Sequence, residues 1–268
     1  MLRRWLELPE TRGMDVDDPR TTIIRKDIIR QKGFLRCLYT EWYARLARSI
    51  DKCGHRGDTV LELGAGGGFF QEHCREKCLP WRVLASDVMS LPGLDLVLDA
   101  RSLPFAPGSL TAIVMTNVFH HIPDVRSFLA SAAQALRPGD VLAMIEPWNT
   151  PWSRFVYARL HPEPFLPDSP YWTLDGDDAG RALSNANDAL PWIVFARDRD
   201  IFARDFHEFA SPEITPLMPF SYLASGGVSL RSLLPGCAYG VCRWLEDLLP
   251  QRFFAMFAQI VLQKRIAQ

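Results

Sequence analysis

Apolar residues near the start of the chain recur at helical spacing. Ile24, Ile28, Ile29, Leu35, Leu38, Trp42, Leu46 and Ile50 predict helix over residues 21–53, with Gly33 placed to divide it in two. Residues 1–20 are charged and carry two prolines, so they are expected over the surface. From residue 59 the pattern changes to short apolar runs separated by helical stretches. Thr59–Leu63, Arg82–Ser86, Leu94–Leu98, Leu110–Met115 and Val141–Ile145 read as strands. Phe69–Lys77 and Val125–Leu136 read as helices, and Arg137–Asp140 as a turn. Buried strands alternating with helices imply an α/β fold with a mostly parallel sheet covered on both faces.

Residues 147–210 break this rhythm. They are rich in proline and aromatics and hold Trp148, Trp152, Trp172 and Trp192, four of the eight tryptophans. The stretch reads as an insertion over the active-site edge that the sheet itself does not need. Beyond it, a helix at Tyr239–Leu249 and a strand at Ala255–Gln263 are expected.

A length of 268 residues suits one domain with additions. The expected division is a helical extension over residues 1–53 and a main domain over 54–268 that contains the insertion. Thirty basic against 31 acidic residues leave a net charge of −1, so no global field draws the chain to nucleic acid. The opening MLRRWLELPETR is interrupted by charge, and no apolar run is long enough to span a bilayer, so a cytoplasmic protein is expected. Cys74 and Cys78 stand four apart, Cys237 and Cys242 five apart. Neither spacing suits a zinc site, and no metal is expected from the cysteines.

The chemistry is concentrated in Val60–Gly68, VLELGAGGG, where an apolar strand runs into a glycine-rich turn before a helix. Glycines there let the backbone turn sharply and approach a ligand. A dinucleotide fingerprint needs a third glycine at position 69, which is Phe69. Glu62, two residues before Gly64, disfavours a pyrophosphate and favours a ligand with a cationic amino-acid end and a sulfonium. Asp87, at the end of the next strand, is placed to accept hydrogen bonds from ribose hydroxyls. Asp99, ending the third strand, is placed to accept from an adenine amino group. Leu103 and Phe105 are assigned to the core.

The runs LELGAGGG, ASDV, DARSLPF, NVFHHIPD and LRPGDVLAMIEP, in this order over about residues 55–148, resemble the class I S-adenosylmethionine-dependent methyltransferases. The resemblance implies a Rossmann-like seven-stranded sheet whose last strand, FAQIVLQK, is antiparallel. It also implies S-adenosyl-L-methionine as cofactor, held by Glu62, Gly64, Ala65, Gly66, Asp87, Val88, Asp99, Ala100 and Asn117. The N-terminal run and the insertion resemble bacterial methyltransferases of surface-polysaccharide assembly, so the acceptor is expected to be a small molecule or a glycan.

Methyl transfer to a hydroxyl needs alignment and a proton acceptor. His120 and His121 follow the fourth strand, and Glu146 follows the fifth, where it can orient a histidine; these three are the catalytic candidates. Trp148, Trp152, Arg154, Tyr157, His161, Trp172 and Trp192, with Asp168, Asp175 and Asp177, offer an aromatic and acidic acceptor platform, or simply the insertion's own core. Arg197–Asp200 reads as a solvated helix face. Methylation at nitrogen or carbon, a NAD-dependent oxidoreductase and a non-catalytic cofactor-fold protein stay open as alternatives.

Overall fold

A computed structural model describes residues 6–53, 58–66, 68–160, 163–174 and 184–266. His161, Asp175 and Asp177 lie outside these residues. Two N-terminal helices come first, α1 (Pro19–Gln31) and α2 (Gly33–Lys52). The Asp18 carboxylate caps α1 by accepting from the Arg20 N–H, and Pro19 opens it. The division expected at Gly33 falls at Lys32, whose backbone is extended. The Lys32 ammonium donates to the carbonyls of Gly227 and Leu230, so the break also ties the helix pair to the C-terminal part of the chain.

The seven strands are β1 (Thr59–Leu63), β2 (Arg82–Asp87), β3 (Leu96–Val97), β4 (Leu110–Thr116), β5 (Leu136–Pro147), β6 (Glu213–Leu217) and β7 (Phe257–Gln263). They form one sheet in the order β3-β2-β1-β4-β5-β7-β6. β7 runs antiparallel to both β5 and β6, and the other neighbouring pairs are parallel. The Rossmann-like sheet with an antiparallel last strand is therefore present.

Two details differ from expectation. The run Arg137–Asp140 is not a turn that precedes a strand. β5 already begins at Leu136, and pairing with β4 jumps from Leu110↔Leu136 to Ala112↔Val141, so these residues bulge within the strand. The strand β6 was not anticipated. Its sequence EITPL holds a proline and polar residues, a composition that only an edge strand tolerates, and β6 is the edge.

Alternation along the central strands divides the core. Leu61, Ile113, Met115, Leu142, Met144 and Ile260 face one layer, and Val60, Ala112, Val114, Val141, Ala143 and Ile145 the other. The second layer is covered by α2, whose Leu38, Trp42, Leu46 and Ile50 form a stripe at four-residue spacing and are at most 1% exposed. The first layer is covered by α3 (Val125–Ala135) and, contrary to the reading of 147–210 as dispensable to the sheet, by Leu190, Ile193, Val194, Phe195 and Phe202. A mostly parallel sheet needs both faces covered, and α3 alone does not reach across β5 and β7.

The C-terminal helix α4 (Tyr239–Asp247) is locked to this frame by a buried ionic group. Glu246 has no solvent exposure and accepts from the backbone N–H groups of Phe220 and Ser221, the Ser221 hydroxyl and Arg243. Arg243 also donates to Glu41 on α2, which accepts from the Tyr239 hydroxyl as well. Replacing Glu246 by alanine leaves two N–H groups buried without their acceptor and removes one of the carboxylates that Arg243 pairs with. Glu246→Ala is expected to destabilise the fold by about 3–5 kcal/mol, measured by urea unfolding. A change under about 1 kcal/mol shows that the lock contributes little to stability.

Candidate functional site

The carboxyl ends of β1, β2, β4 and β5 deliver the candidate residues to one edge. At the end of β1 the chain turns through Gly64 and Gly66, both with positive φ. At Gly64 (φ +62°) a Cβ would stand 2.2 Å from Cγ2 of Val118, so the loop lies directly against the residues that follow β4. An open cleft lies beside this loop. Glu62, Gly64, Ala65 and Gly66 line it, together with Thr116 from β4. Asp87, Val88, Asp99, Ala100 and Asn117 are not part of that lining.

The N-terminal helices close the cleft's other wall, with Thr22, Arg25 and Lys26 from α1 and Tyr39 and Tyr43 from α2. Sequence reading missed them because they carry no motif; only the helical spacing of Thr22 and Arg25 placed both on one face. The Thr22 hydroxyl oxygen is buried and has no hydrogen-bond partner among the described residues. Phe69, which displaces the third glycine of a dinucleotide fingerprint, lies under the cations of Lys26 and Arg30 at 5.8 and 5.6 Å. Arg30 also pairs with Glu72 at 2.8 Å, which ties α1 to the helix after the loop.

The acidic candidates differ in what they have to offer. Both Glu62 oxygens accept from the backbone, from Phe70 at 3.2 Å and from Gln71 at 3.1 Å. Glu62 thus anchors the helix after the loop, and burial pushes its carboxyl up to about 7. Asp87 is buried and accepts one N–H on each oxygen, from Gly66 at 3.0 Å and Met89 at 3.1 Å. Burial raises its pKa despite those bonds, and each oxygen retains acceptor capacity. Asp99 is half-exposed and engaged by its neighbour. The Arg101 guanidinium reaches it at 2.7–3.1 Å and holds its carboxyl below the usual range. Val88 is exposed, and Ala100 packs partly on the core.

The histidines follow a tight turn off β4. Asn117 adopts positive φ (55°), its side-chain oxygen is buried without a hydrogen-bond partner among the described residues, and a 3₁₀ turn covers Phe119–His121. Glu146 organises this turn from the end of β5. One of its oxygens accepts from the N–H groups of Val118 and Phe119 at 2.8 and 2.9 Å, the other from His120 Nδ1 at 2.7 Å. His120 is 3% exposed and Glu146 is fully buried. His120 Nε2 faces Glu163 and Asp188, each at 3.5 Å. Burial pulls its pKa down, but the bond to Glu146 and the carboxylates around it prevail and hold it well above 6.5. His121 is driven the other way, to about 3, by burial and by the charge of His120.

Glu163 and Asp188 both come from residues 147–210, and sequence reading named neither. Asn187 clamps the two arms of this segment. Its side chain exchanges hydrogen bonds with the Leu166 backbone, and its N–H donates to the His120 carbonyl. The residues proposed as an acceptor platform lie elsewhere or serve packing. Asp168 is exposed. Trp152 Nε1 donates to the Pro219 carbonyl, the Tyr157 hydroxyl to Met256, and Trp172 Nε1 to Asp198. Trp148 is buried, and Trp192 packs against the core. Arg197–Asp200 is only half a solvated face. Arg197 pairs with Asp198 and donates to the carbonyls of Pro167 and Ser169, whereas Arg199 and Asp200 are exposed.

A family model described as a methyltransferase domain matches residues 32–199, well over half of the chain. The chain belongs to the class I S-adenosylmethionine-dependent methyltransferases. S-adenosylmethionine is the cofactor that goes with this family. The methyltransferase-domain match begins at Lys32, just before α2, so it takes in the second helix of the N-terminal extension. Among solved structures, a Haloferax volcanii complex between the Trm112 methyltransferase activator and a methyltransferase is similar in fold. It has a TM-score of 0.51 at 14% identity, covering 90% of this chain and 95% of that one. An uncharacterized methyltransferase of Mycobacterium sp. (strain KMS) is 29% identical over 96 residues, 33% of this chain and 38% of that protein. Highly reducing polyketide synthase 40 of Fusarium pseudograminearum is 37% identical over 67 residues, 25% of this chain and 3% of the synthase. The matches thus span well under two thirds of these relatives. No helix among the described residues is long and apolar enough to cross a membrane.

The methyltransferase site has a consequence for pH dependence. A histidine whose folded pKa is raised binds a proton that the unfolded chain releases above about 6.5. Its stabilisation is complete below that pH and is lost as the pH rises through the folded value. The stability difference between wild type and His120→Gln is therefore expected to shrink as pH climbs from 6.5 to 9, in urea unfolding without divalent metal. A difference that stays constant or grows contradicts the assigned charge.

Proposed function

We propose that this chain transfers a methyl group from S-adenosylmethionine to a hydroxyl oxygen of a small-molecule or glycan acceptor. The observation that carries the proposal is a juxtaposition. The glycine-loop cleft abuts Val118, and two residues further on His120 is held by Glu146 with Nε2 towards Glu163 and Asp188. The cleft takes the cofactor's amino-acid end, and Gly64, Ala65 and Gly66 bring the backbone close to it. Thr22 and Arg25 offer a hydroxyl and a cation to its carboxylate. Asp87 takes the ribose beyond the cleft, and Val88, Ala100 and Asn117 flank the base. Asp99 contributes less because Arg101 engages it. The cofactor supplies a carbon activated by sulfonium, and a hydroxyl that attacks it must lose its proton. His121 and the two carboxylates give that proton a destination, and His120, held by Glu146, keeps the carboxylates in place. A neutral amine attacks through its own lone pair and needs this cluster less.

Calorimetry tests the cofactor half. S-adenosylhomocysteine binds and NAD does not; the reverse overturns the reading. Asp87→Ala weakens binding by about 1–3 kcal/mol, and Asp99→Ala by less. Arg25→Ala weakens S-adenosylhomocysteine but leaves 5′-methylthioadenosine, which lacks the amino-acid end, unchanged. Equal losses for both ligands remove Arg25 from the carboxylate. For the acceptor half, a panel of hydroxylated metabolites and glycans is screened by mass for the gain of one CH₂. His120→Ala is then expected to lower turnover by roughly 10²–10⁴-fold with cofactor affinity unchanged. Products methylated only at nitrogen or carbon overturn the oxygen assignment.

A further inference from the structure

The two histidines share a feature that methyl transfer alone does not require. His120 Nδ1 is bonded to Glu146 at 2.7 Å, and His121 Nδ1 faces the Asn185 carbonyl at 3.3 Å. Each ring is thus fixed through Nδ1, and each Nε2 is turned to the same carboxylate. Glu163 Oε2 lies 3.5 Å from His120 Nε2 and 3.9 Å from His121 Nε2. One ligand atom from each of the three residues falls within 4.8 Å of the others. Tetrahedral ligands about 2.1 Å from an ion stand roughly 3.4 Å apart, so these separations close with small shifts. Glu163 is about a quarter exposed, whereas His120 is buried.

The outer shell matches a metal site too. Histidine ligands almost always donate their second ring N–H to a carboxylate or a backbone carbonyl, which fixes the ring and raises its basicity. Here one histidine has the carboxylate and the other the carbonyl. Glu146 is itself held by two backbone N–H groups, so the support extends one shell further.

We propose that His120, His121 and Glu163 bind one divalent transition-metal ion at the acceptor end of the site. Two imidazoles and a carboxylate suit zinc and its neighbours over magnesium or calcium. Three protein ligands leave a position open, as in catalytic sites. The inference rests on the acceptor reading above and deepens it. The acceptor hydroxyl occupies the open position, where the ion makes its proton easier to lose. That proton passes to the Asp188 carboxylate, 3.5 Å from His120 Nε2. The oxygen's lone pair then forms the C–O bond as the C–S bond breaks, and sulfur keeps the bonding pair as a neutral thioether.

Cobalt(II) is the probe, because its visible d–d bands report tetrahedral imidazole and carboxylate ligation, and thiolate ligation adds a separate near-ultraviolet band. The full chain is stripped with a chelator and titrated with cobalt and with zinc. One equivalent binds, with d–d bands and no thiolate band. His121→Ala and Glu163→Gln, both at partly exposed positions, lower the affinity at least tenfold, while His207→Ala at a distant exposed histidine leaves it unchanged. Binding below one equivalent, a spectrum dominated by the thiolate band, or unchanged affinity in both variants overturns the proposal. If the variants unfold, the wild-type spectrum and stoichiometry decide. S-adenosylhomocysteine binding is measured on the same stripped sample. Cofactor binding without metal binding sinks this inference alone, and failure to bind the cofactor sinks the acceptor reading.

Discussion

One buried carboxylate holds the site together. Glu146 ends the strand that pairs with β4 on one side and β7 on the other, so its position is set by two ladders of hydrogen bonds. A carboxylate with no solvent exposure costs several kcal/mol unless it is fully paired. Glu146 meets that cost with two backbone N–H groups and an imidazole. The same three bonds dictate the path of Val118, Phe119 and His120 after β4. That path sets how near the histidine comes to the glycine loop, since Val118 is the residue Gly64 abuts.

The segment between β5 and β6 answers two demands at once. Its far half supplies Phe195, Phe202 and their neighbours to a sheet face that would otherwise stay wet. Its near half and the turn before Leu190 bring Glu163 and Asp188 to His120. Asn187 couples the two, because it pins the near arm while its backbone bonds the histidine turn. Contacts to the histidines and core packing are therefore not separable along the chain, and the tryptophans of this region serve the packing side.

The glycine loop, the strand–helix alternation and the helix stripe of α2 were legible because each depends on short-range pattern. Short apolar runs announce buried strands, and Leu38, Trp42, Leu46 and Ile50 announce a helix face. The edge strand β6 was not legible, since edge strands tolerate proline and polar residues and so lose their signature. The bulge at Arg137–Asp140 has the composition of a turn, and only pairing with β4 keeps it within a strand. The charge of Glu62 was readable but its task was not. The two N–H groups that it anchors belong to a helix whose start depends on the fold of the loop.

By itself the sequence determined the fold class, the cofactor loop and the candidacy of His120, His121 and Glu146, because these rest on residue type and near-neighbour spacing. Tertiary structure alone decided which carboxylates meet those histidines and which helices wall the cleft. Glu163 lies 43 residues beyond His120 in the numbering and Asp188 68 beyond, and Thr22 and Arg25 precede the loop by about forty. Contacts at such separations are set by how layers pack on the sheet. That packing follows from the summed burial of many apolar side chains, a quantity no local pattern of polar residues encodes.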